Sequence, residues 1–523
     1  MKILKLILFL IFSLFVLLNF SCQRVQGSNN TSKITIADTT GDWGFPSPYG
    51  MYSRGPGYIR MSLIFDTLVW KDIGGNFIPG LANNWEYSNS NNSYIFSLRK
   101  DVFWHDGHEF DAGDVIFTFD YIKEHPWIWV NSDFIKKVEK ISNYKVKIYL
   151  AEKYAPFLPN IAGTLPIMPE HIWSNVADPG KFTAKEALIG TGPYQLLDYN
   201  KGQSTYLFEA NKDYYNGKPV YAKIVFVKNS AESIPAALEA GNIDAGPIPV
   251  DSVSSLKENF NIKQEPPAWA AKLIFNHEKN ALLTSKEFRK AIAYGINRKN
   301  LVDISQRGFA IEGNPGLLPP TNEYWHNPGV SQYNYDKGKA TEIIEDMGFQ
   351  LNQEGFYFKE EEELSLNLAV TQDFARDGEI IKNDLEKLGL KINLYSYEPK
   401  TLDNMVKAWD FDLAISGHGG LGGDPEILNK VIIGEGFNSV RFFENEKLVT
   451  LLQDQVQEMD QEERKEIVLK IQEIYAEELP SLTLYYPKWY WAHNDRVEIE
   501  YTGRGVALGI PIPLNKILFI NRK

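Results

Sequence analysis

The stretch 104-WHDGHEFDAGDVIFTF-119 decides how this chain is read. It crowds two histidines together with Asp106, Glu109, Asp111 and Asp114. A metal or catalytic cluster here would point to an enzyme, whereas scaffold would not. Asp106-Gly107 is a turn pair, because glycine reaches positive φ without steric cost. Asp111 fits a helix N-cap, and Asp114 three residues on fits the return carboxylate of a capping box. Val115, Phe119 and Ile122 then share one face of the helix that follows. His105 and His108 straddle the turn instead of standing one turn apart on a helix, so they lack the spacing of a two-histidine zinc helix. The stretch reads as scaffold.

Working outward, SYIFSLRK (93–100) and YKVKIYLAE (144–152) alternate strictly and read as strands, as does KITIAD (33–38). TYLFEA and AKIVFVK make a strand-rich tract around 205–228. Helical periodicity follows in SKEFRKAIAYGINRKNLVDIS, DKGKATEIIEDMG, DGEIIKNDLEKLG and DQEERKEIVLKIQEIYAEE. Between these helices LSLNLAV and KINLYSY read as buried strands. The alternation predicts an α/β lobe around 270–490 with an α+β lobe ahead of it. A length of 523 residues suits about three lobes.

The N-terminus, MKILKLILFLIFSLFVLLNFSC, sets Lys2 and Lys5 before an apolar run from Ile7 to Leu18. That run is short of the roughly 20 residues a membrane-crossing helix needs, so residues 1–21 read as an export signal. Cys22, the single cysteine, follows small Ser21 and is similar to the lipobox cysteine of bacterial lipoproteins. Its acylation would leave no free thiol for catalysis, disulfides or metal. Residues 22–32 would then be a lipidated tether. Without Lys2 and Lys5 the chain carries 52 basic and 67 acidic side chains, a net charge of −15. Such a field disfavours nucleic acid and suits cationic or zwitterionic solutes. With 12 Trp, 27 Tyr and 30 Phe, the chain is rich in side chains that serve large cores or grip extended polar ligands.

The run from Ile64 to Ile122, IFDTLVWKDIGGNFIPGLANNWEYSNSNNSYIFSLRKDVFWHDGHEFDAGDVIFTFDYI, resembles the signature region of family 5 extracellular solute-binding proteins. These are the peptide- and nickel-binding receptors of bacterial ABC importers. The likeness continues in GTGPYQLLDYNKG (190–202), NKDYYNGKPVYAKIVFV (211–227), EFRKAIAYGINRKNLV (287–302) and LLPP (317–320). It implies an α/β, two-lobed periplasmic-binding-protein-like fold, type II, cluster C, with an extra α+β domain in lobe one. Carried onto this chain, lobe one would comprise 33–64, 188–267 and 490–523, the additional domain 65–187, and lobe two 268–489. The chain would cross between lobes near Pro266-Pro267 and near Tyr485–Trp491, and the lobes would close over a ligand by a hinge motion.

Three segments supply the expected site. DWGFPSPYGMYSRGPGYIR (42–60) combines aromatics with Gly and Pro and reads as a surface loop or as cleft lining; Trp43, Tyr49 and Arg54 are its candidate contacts, with Arg54 suited to a carboxylate. In 409-WDFDLAISGHGGLGGDPEILNK-430 the resemblance implies a strand entering the cleft and a ligand loop with His418, Gly419, Gly420, Leu421 and Asp424. Where peptide-binding relatives carry a Trp and an amine-anchoring acid, this chain has His418 and about Leu421, so Asp424 is the expected cation anchor, its bland alternative being a helix cap. The crowded LTLYYPKWYWAH (482–493) adds Tyr485, Tyr486 and Trp489, some of them expected to face the cleft.

The expected function is a lipid-anchored, exported receptor, monomeric and not an enzyme. It would capture peptide-like solutes outside the cytoplasmic membrane and present them to a separate permease and ATPase. The chain itself has no phosphate-binding GxxxxGK[ST] loop. No resident cofactor or metal is expected. A nickel or other metal chelate and an oligosaccharide remain alternative cargoes on the same scaffold. A secreted hydrolase is the remote one, lacking a G-x-S-x-G elbow or zinc-helix motif.

Overall fold

The computed structural model describes residues 33–521 apart from 361 and 437. The export signal, Cys22 and the tether lie outside the described residues. Three sheets organise the rest. A seven-stranded mixed sheet has the order Asn261–Gln264, Tyr490–His493, Ala245–Ile248, Lys33–Asp38, Lys223–Lys228, Thr205–Ala210, Tyr194–Asn200. Lys33–Asp38 runs parallel to Lys223–Lys228, pairing Ile36 with Phe226. Its period-2 pattern puts Ile34 and Ile36 in the main core and Ala37 in a smaller cluster on the opposite face.

A second sheet of six strands runs Ala310–Glu312, Ser481–Pro487, Ala270–Phe275, Leu413–His418, Ser365–Thr371, Lys391–Tyr397. Helices cover both of its faces. Lys286–Gly295 and Ala375–Leu388 bury Phe288, Ile292, Ile381 and Leu385 on one side. Glu446–Gln457 and Gln461–Glu478 bury Leu448, Leu452, Val468 and Ile471 on the other. The expected helix over 285–305 breaks in two, because Asn297 leaves helical geometry and caps the next turn by accepting from Asn300 N.

A third, antiparallel sheet (Ala82–Ser88, Ser93–Leu98, Lys145–Leu150, Ile135–Ser142) carries the helix Ala112–Glu124. Asp111 and Asp114 form the capping box at its start, and Gly107 turns with φ +92°. Phe96, Val146 and Ile148 of this sheet join the core of the seven-stranded sheet. The fold is therefore two-lobed α/β, the third sheet packing onto the first. Fold brings His171 beside the turn, 65 residues on in sequence: its Nε2 lies 2.8 Å from Asp106, and its ring stacks on His108 at 4.0 Å. These three exposed side chains form the one group among the described residues whose ligand atoms converge closely enough to hold a metal ion. Proximity in sequence did not reveal it.

The chain passes from the first large sheet to the second between Gln264 and Ala270, and returns between Pro487 and Tyr490. These crossings touch: Glu265 N donates to Trp489 O at 2.8 Å. Side-by-side crossings let the lobes rotate about a shared line, which is hinge geometry.

Candidate functional site

The main cleft opens beside those crossings, with a cavity of about 760 Å³. Such a volume falls within the range of small-molecule sites. Lobe one contributes Trp43 and Ser53–Pro56; the third sheet's domain contributes Trp129 and Asn160. Gly417–Gly420, Asp424, Glu426 and Lys430 come from the second lobe, and 508–512 from the C-terminal segment. Glu265, Trp269 and Trp489 come from the crossings themselves.

Trp43 is held by its indole, which donates to Asp38 at 2.7 Å, and by its backbone N–H, which donates to the Tyr206 hydroxyl at 2.7 Å. Asp38 also binds the buried Arg60 at 2.8 Å, so this loop is a braced wall. Arg54 precedes the helix Gly55–Ser62, whose second residue is Pro56. Burial pushes the Asp403 carboxyl upward and the Arg54 guanidinium draws it partly back, so lobe-two and lobe-one charges meet at the cleft.

His418 ends the strand Leu413–His418 and is only 4% exposed. Burial, reinforced by the Lys272 charge, drives its imidazole well below the usual range, so the ring is neutral. Nδ1 lies 3.3 Å from Gly419 O and carries the proton; Nε2 is buried and unpartnered among the described residues. The residue lines the cleft, and its neutral imidazole has a lone pair that would reach a hydrogen-bond donor or a metal once the ring turned Nε2 toward the cavity.

Trp269 lies flat against Gly417 and stacks on Phe374 with planes 12° apart. A Cβ at 417 would come within 2.0 Å of the indole Cη2 and Cζ2. Gly417→Ala should therefore lift Trp269 off the strand, costing about 1–3 kcal/mol of stability and weakening ligand capture. Thermal melts and titration check this; unchanged values would show that the indole has room to move.

Several expected contacts are placed elsewhere. Tyr485 is 2% exposed, donates to Asp377 at 2.8 Å and accepts from Gln306 at 3.0 Å. Tyr486 is fully buried, donating to Leu317 O at 2.9 Å. Neither faces the cleft, because the strand Ser481–Pro487 is covered on both faces. Tyr49 lines a neighbouring cavity, its hydroxyl bound to His125 O at 2.6 Å. Leu421 is wholly buried, its N–H donating to Ala268 O and its carbonyl accepting from Asn322 Nδ2. Asp424 does line the cleft, but as a paired group: Arg464 grips both carboxylate oxygens at 2.9 and 2.6 Å. The expectation of a free cation anchor at Asp424 is corrected by that pair. Gly423, too, serves packing, since a Cβ there would meet Leu508 O at 2.7 Å.

Residues that sequence reasoning missed are Glu265, Trp269, Trp129, Asn160, Asp403, Glu426, Lys430 and the segment 508–512. Glu426 accepts a hydrogen bond from Asn160 across the cleft, and burial raises its carboxyl. Ala155 N donates to Val456 O at 2.7 Å nearby, so the third sheet's domain already touches lobe two. The one available signal was position: Glu265 and Trp269 flank the Pro266-Pro267 pair that marked a crossing.

The model of bacterial extracellular solute-binding proteins, family 5 Middle, matches residues 76–432. The oligopeptide-binding protein AppA of Bacillus subtilis is 26% identical over 511 residues, covering 91% of this chain and 92% of its own. Among solved structures, NikZ from Campylobacter jejuni in complex with Ni(L-His) is 24% identical with a TM-score of 0.77, over 94% of this chain and all of that one. A mannohexaose-bound oligopeptide-binding protein from Thermotoga maritima is 22% identical with a TM-score of 0.74, covering 94% of this chain and 99% of that one.

Proposed function

This chain belongs to the family 5 bacterial extracellular solute-binding proteins, and on that premise we propose that it captures short peptides outside the cytoplasmic membrane and delivers them to an ABC permease. The observation that carries the peptide reading is the mixed charge of the cleft. Arg54 and Lys430 stand in one cavity with Glu265, Asp403 and Glu426, among four indoles. A zwitterionic chain with apolar side chains matches both features, whereas a neutral sugar carries no charge to pair with the groups that line the cavity. AppA of Bacillus subtilis, a relative across nearly the whole length, is an oligopeptide-binding protein and supports the same reading.

Capture without chemistry follows from the same residues. Ligand contacts to both lobes favour the closed arrangement by their differential affinity for it, and the hinge supplies the motion. An exported, lipid-anchored monomer held through Cys22 would keep the receptor beside its permease, and the ATPase would be a separate chain. Native mass spectrometry of protein purified without denaturant tests the cargo. Bound species at the masses of short peptides are expected. A homogeneous sugar would overturn the peptide reading.

One observation favours a second cargo. Neutral His418 lines the cleft with an unpartnered Nε2, which would ligate nickel held as a small chelate if the ring turned that buried atom into the cavity. Under this reading Ni(L-His) would raise the melting temperature of the protein and His418→Ala would abolish the rise, while trialanine would have no effect.

A further inference from the structure

We propose that Glu265, set with Trp269 and Trp489 where the two lobe-to-lobe crossings meet, anchors an alkylammonium group of the bound solute. This rests on the reading of the cleft as the solute site, and it names the chemistry that the site selects.

Glu265 is 6% exposed and lines the cleft, yet burial is the sole influence on its carboxyl. No hydrogen bond or ion pair reaches it among the described residues. Its backbone, by contrast, is fixed, the N–H given to Trp489 O at 2.8 Å. The adjoining Lys263 is paired with Glu500 and contributes nothing to it. Tyr501 feels the Glu265 charge, but its buried hydroxyl makes no hydrogen bond. Native proteins rarely leave a buried carboxyl unanswered, because desolvation without a partner is costly. Here burial pushes the group up to about 8. An arriving cation would supply the missing partner.

The surroundings suit that cation. The indoles of Trp269 and Trp489 lie 5.9 Å apart with planes 48° apart, in the wall that also carries Glu265. Trp269 is held by Phe374 and Gly417, whereas Trp489 is 43% exposed and able to adjust. Aromatic faces attract ammonium groups most strongly once water is removed. Of the other carboxyls in the cleft, Asp424 is taken by Arg464, Glu426 accepts from Asn160, and Asp403 is exposed with the Arg54 charge near it. The position is also mechanically apt. A charge neutralised at the crossing between lobes bears on the hinge itself.

The test uses the full chain and two classes of probe, read by tryptophan fluorescence and calorimetry. Butylammonium chloride should bind saturably and n-butanol, of similar size, should not. Glu265→Gln should weaken butylammonium roughly tenfold to hundredfold, the range for one charge-assisted contact, while raising the melting temperature of the ligand-free protein. Among peptides, trialanine and acetyl-Ala-Lys-Ala separate an α-amino from a side-chain ammonium; loss of either in the variant supports the anchor. Acetyl-trialanine should bind wild type and variant alike, within about twofold. Equal binding of butanol and butylammonium, or a variant that keeps the affinity of every amine, overturns the inference. Butylammonium binding that depends on Glu265, with no peptide bound at all, supports the anchor and overturns the peptide reading instead.

Discussion

Lys516→Met is expected to remove about 3–5 kcal/mol of folding stability, the scale for breaking a buried ion pair from one side. Lys516 and Asp66 are each 3% exposed, with Nζ 2.5 Å from the carboxylate. The ammonium also donates to Phe65 O at 3.2 Å and sits 4.3 Å over the Trp70 ring. Burial pulls the ammonium pKa down and Asp66 pulls it partly back, so the partner is what favours the charged form. Methionine keeps the stem and its packing but strands Asp66. That carboxylate would retain only the Thr191 and Tyr214 hydroxyls, both at 3.2 Å. Urea denaturation followed by circular dichroism measures the effect, and a loss below about 1 kcal/mol would refute it. Adding Asp66→Asn should recover much of the loss, because a matched neutral pair removes the stranded charge. The site matters to function through geometry. Lys516 ties the C-terminal segment to the loop after the helix Gly55–Ser62, and that segment supplies 508–512 to the cleft. Lys71 secures the same segment by donating to the carbonyls of Gly505 and Ala507 at 3.1 and 2.9 Å.

How much of this was legible beforehand depended on whether the physics was local. Strict alternation exposed strands such as Lys33–Asp38 and Lys145–Leu150, and the Asp111–Asp114 spacing exposed a capping box, because each signal lies within a few residues. The two-lobed α/β class followed from the order of those elements and from the family resemblance. Trp43, Arg54, His418 and Trp489 do line the cleft. Period-2 reasoning lost its force at Tyr485 and Tyr486, since a strand covered by helices on both faces has no wet side to mark. Each tyrosine instead found a private hydrogen-bond partner in a different core cluster. Asp424 shows the other limit. Its partner Arg464 lies 40 residues away in another helix, and nothing in the loop sequence announces that pairing. Glu265 reads as an ordinary acid before two prolines until the fold takes water away from it.

Arg464→Met is expected to be as damaging as the loss of Lys516, about 3–5 kcal/mol, and to change what the cleft attracts. Arg464 sits in the first turns of the helix Gln461–Glu478, and its side chain is 6% exposed. Besides the two-pronged grip on Asp424, its Nε donates to Gln455 O at 2.6 Å and its guanidinium lies 5.4 Å from the Trp325 ring. Asp424 is the wall between the main cleft and a second cavity of about 390 Å³, so the pair fixes a partition as well as a charge. Methionine would leave a carboxylate in that wall with no cation, although the Glu426 N–H still donates to it at 2.9 Å. Two readouts separate the consequences. Urea denaturation should report the lost stability, with Asp424→Asn partly restoring it in the double variant. Calorimetry with butylammonium should report tighter binding than wild type, since a new anionic site has been uncovered. Unchanged stability together with unchanged cation affinity would mean that the pair is not intact in solution. In that event Asp424 would already be free to bind cations and Glu265 would have a competitor; with the pair intact, Glu265 at the hinge is the buried cleft carboxyl that has no hydrogen-bond or ion-pair partner among the described residues.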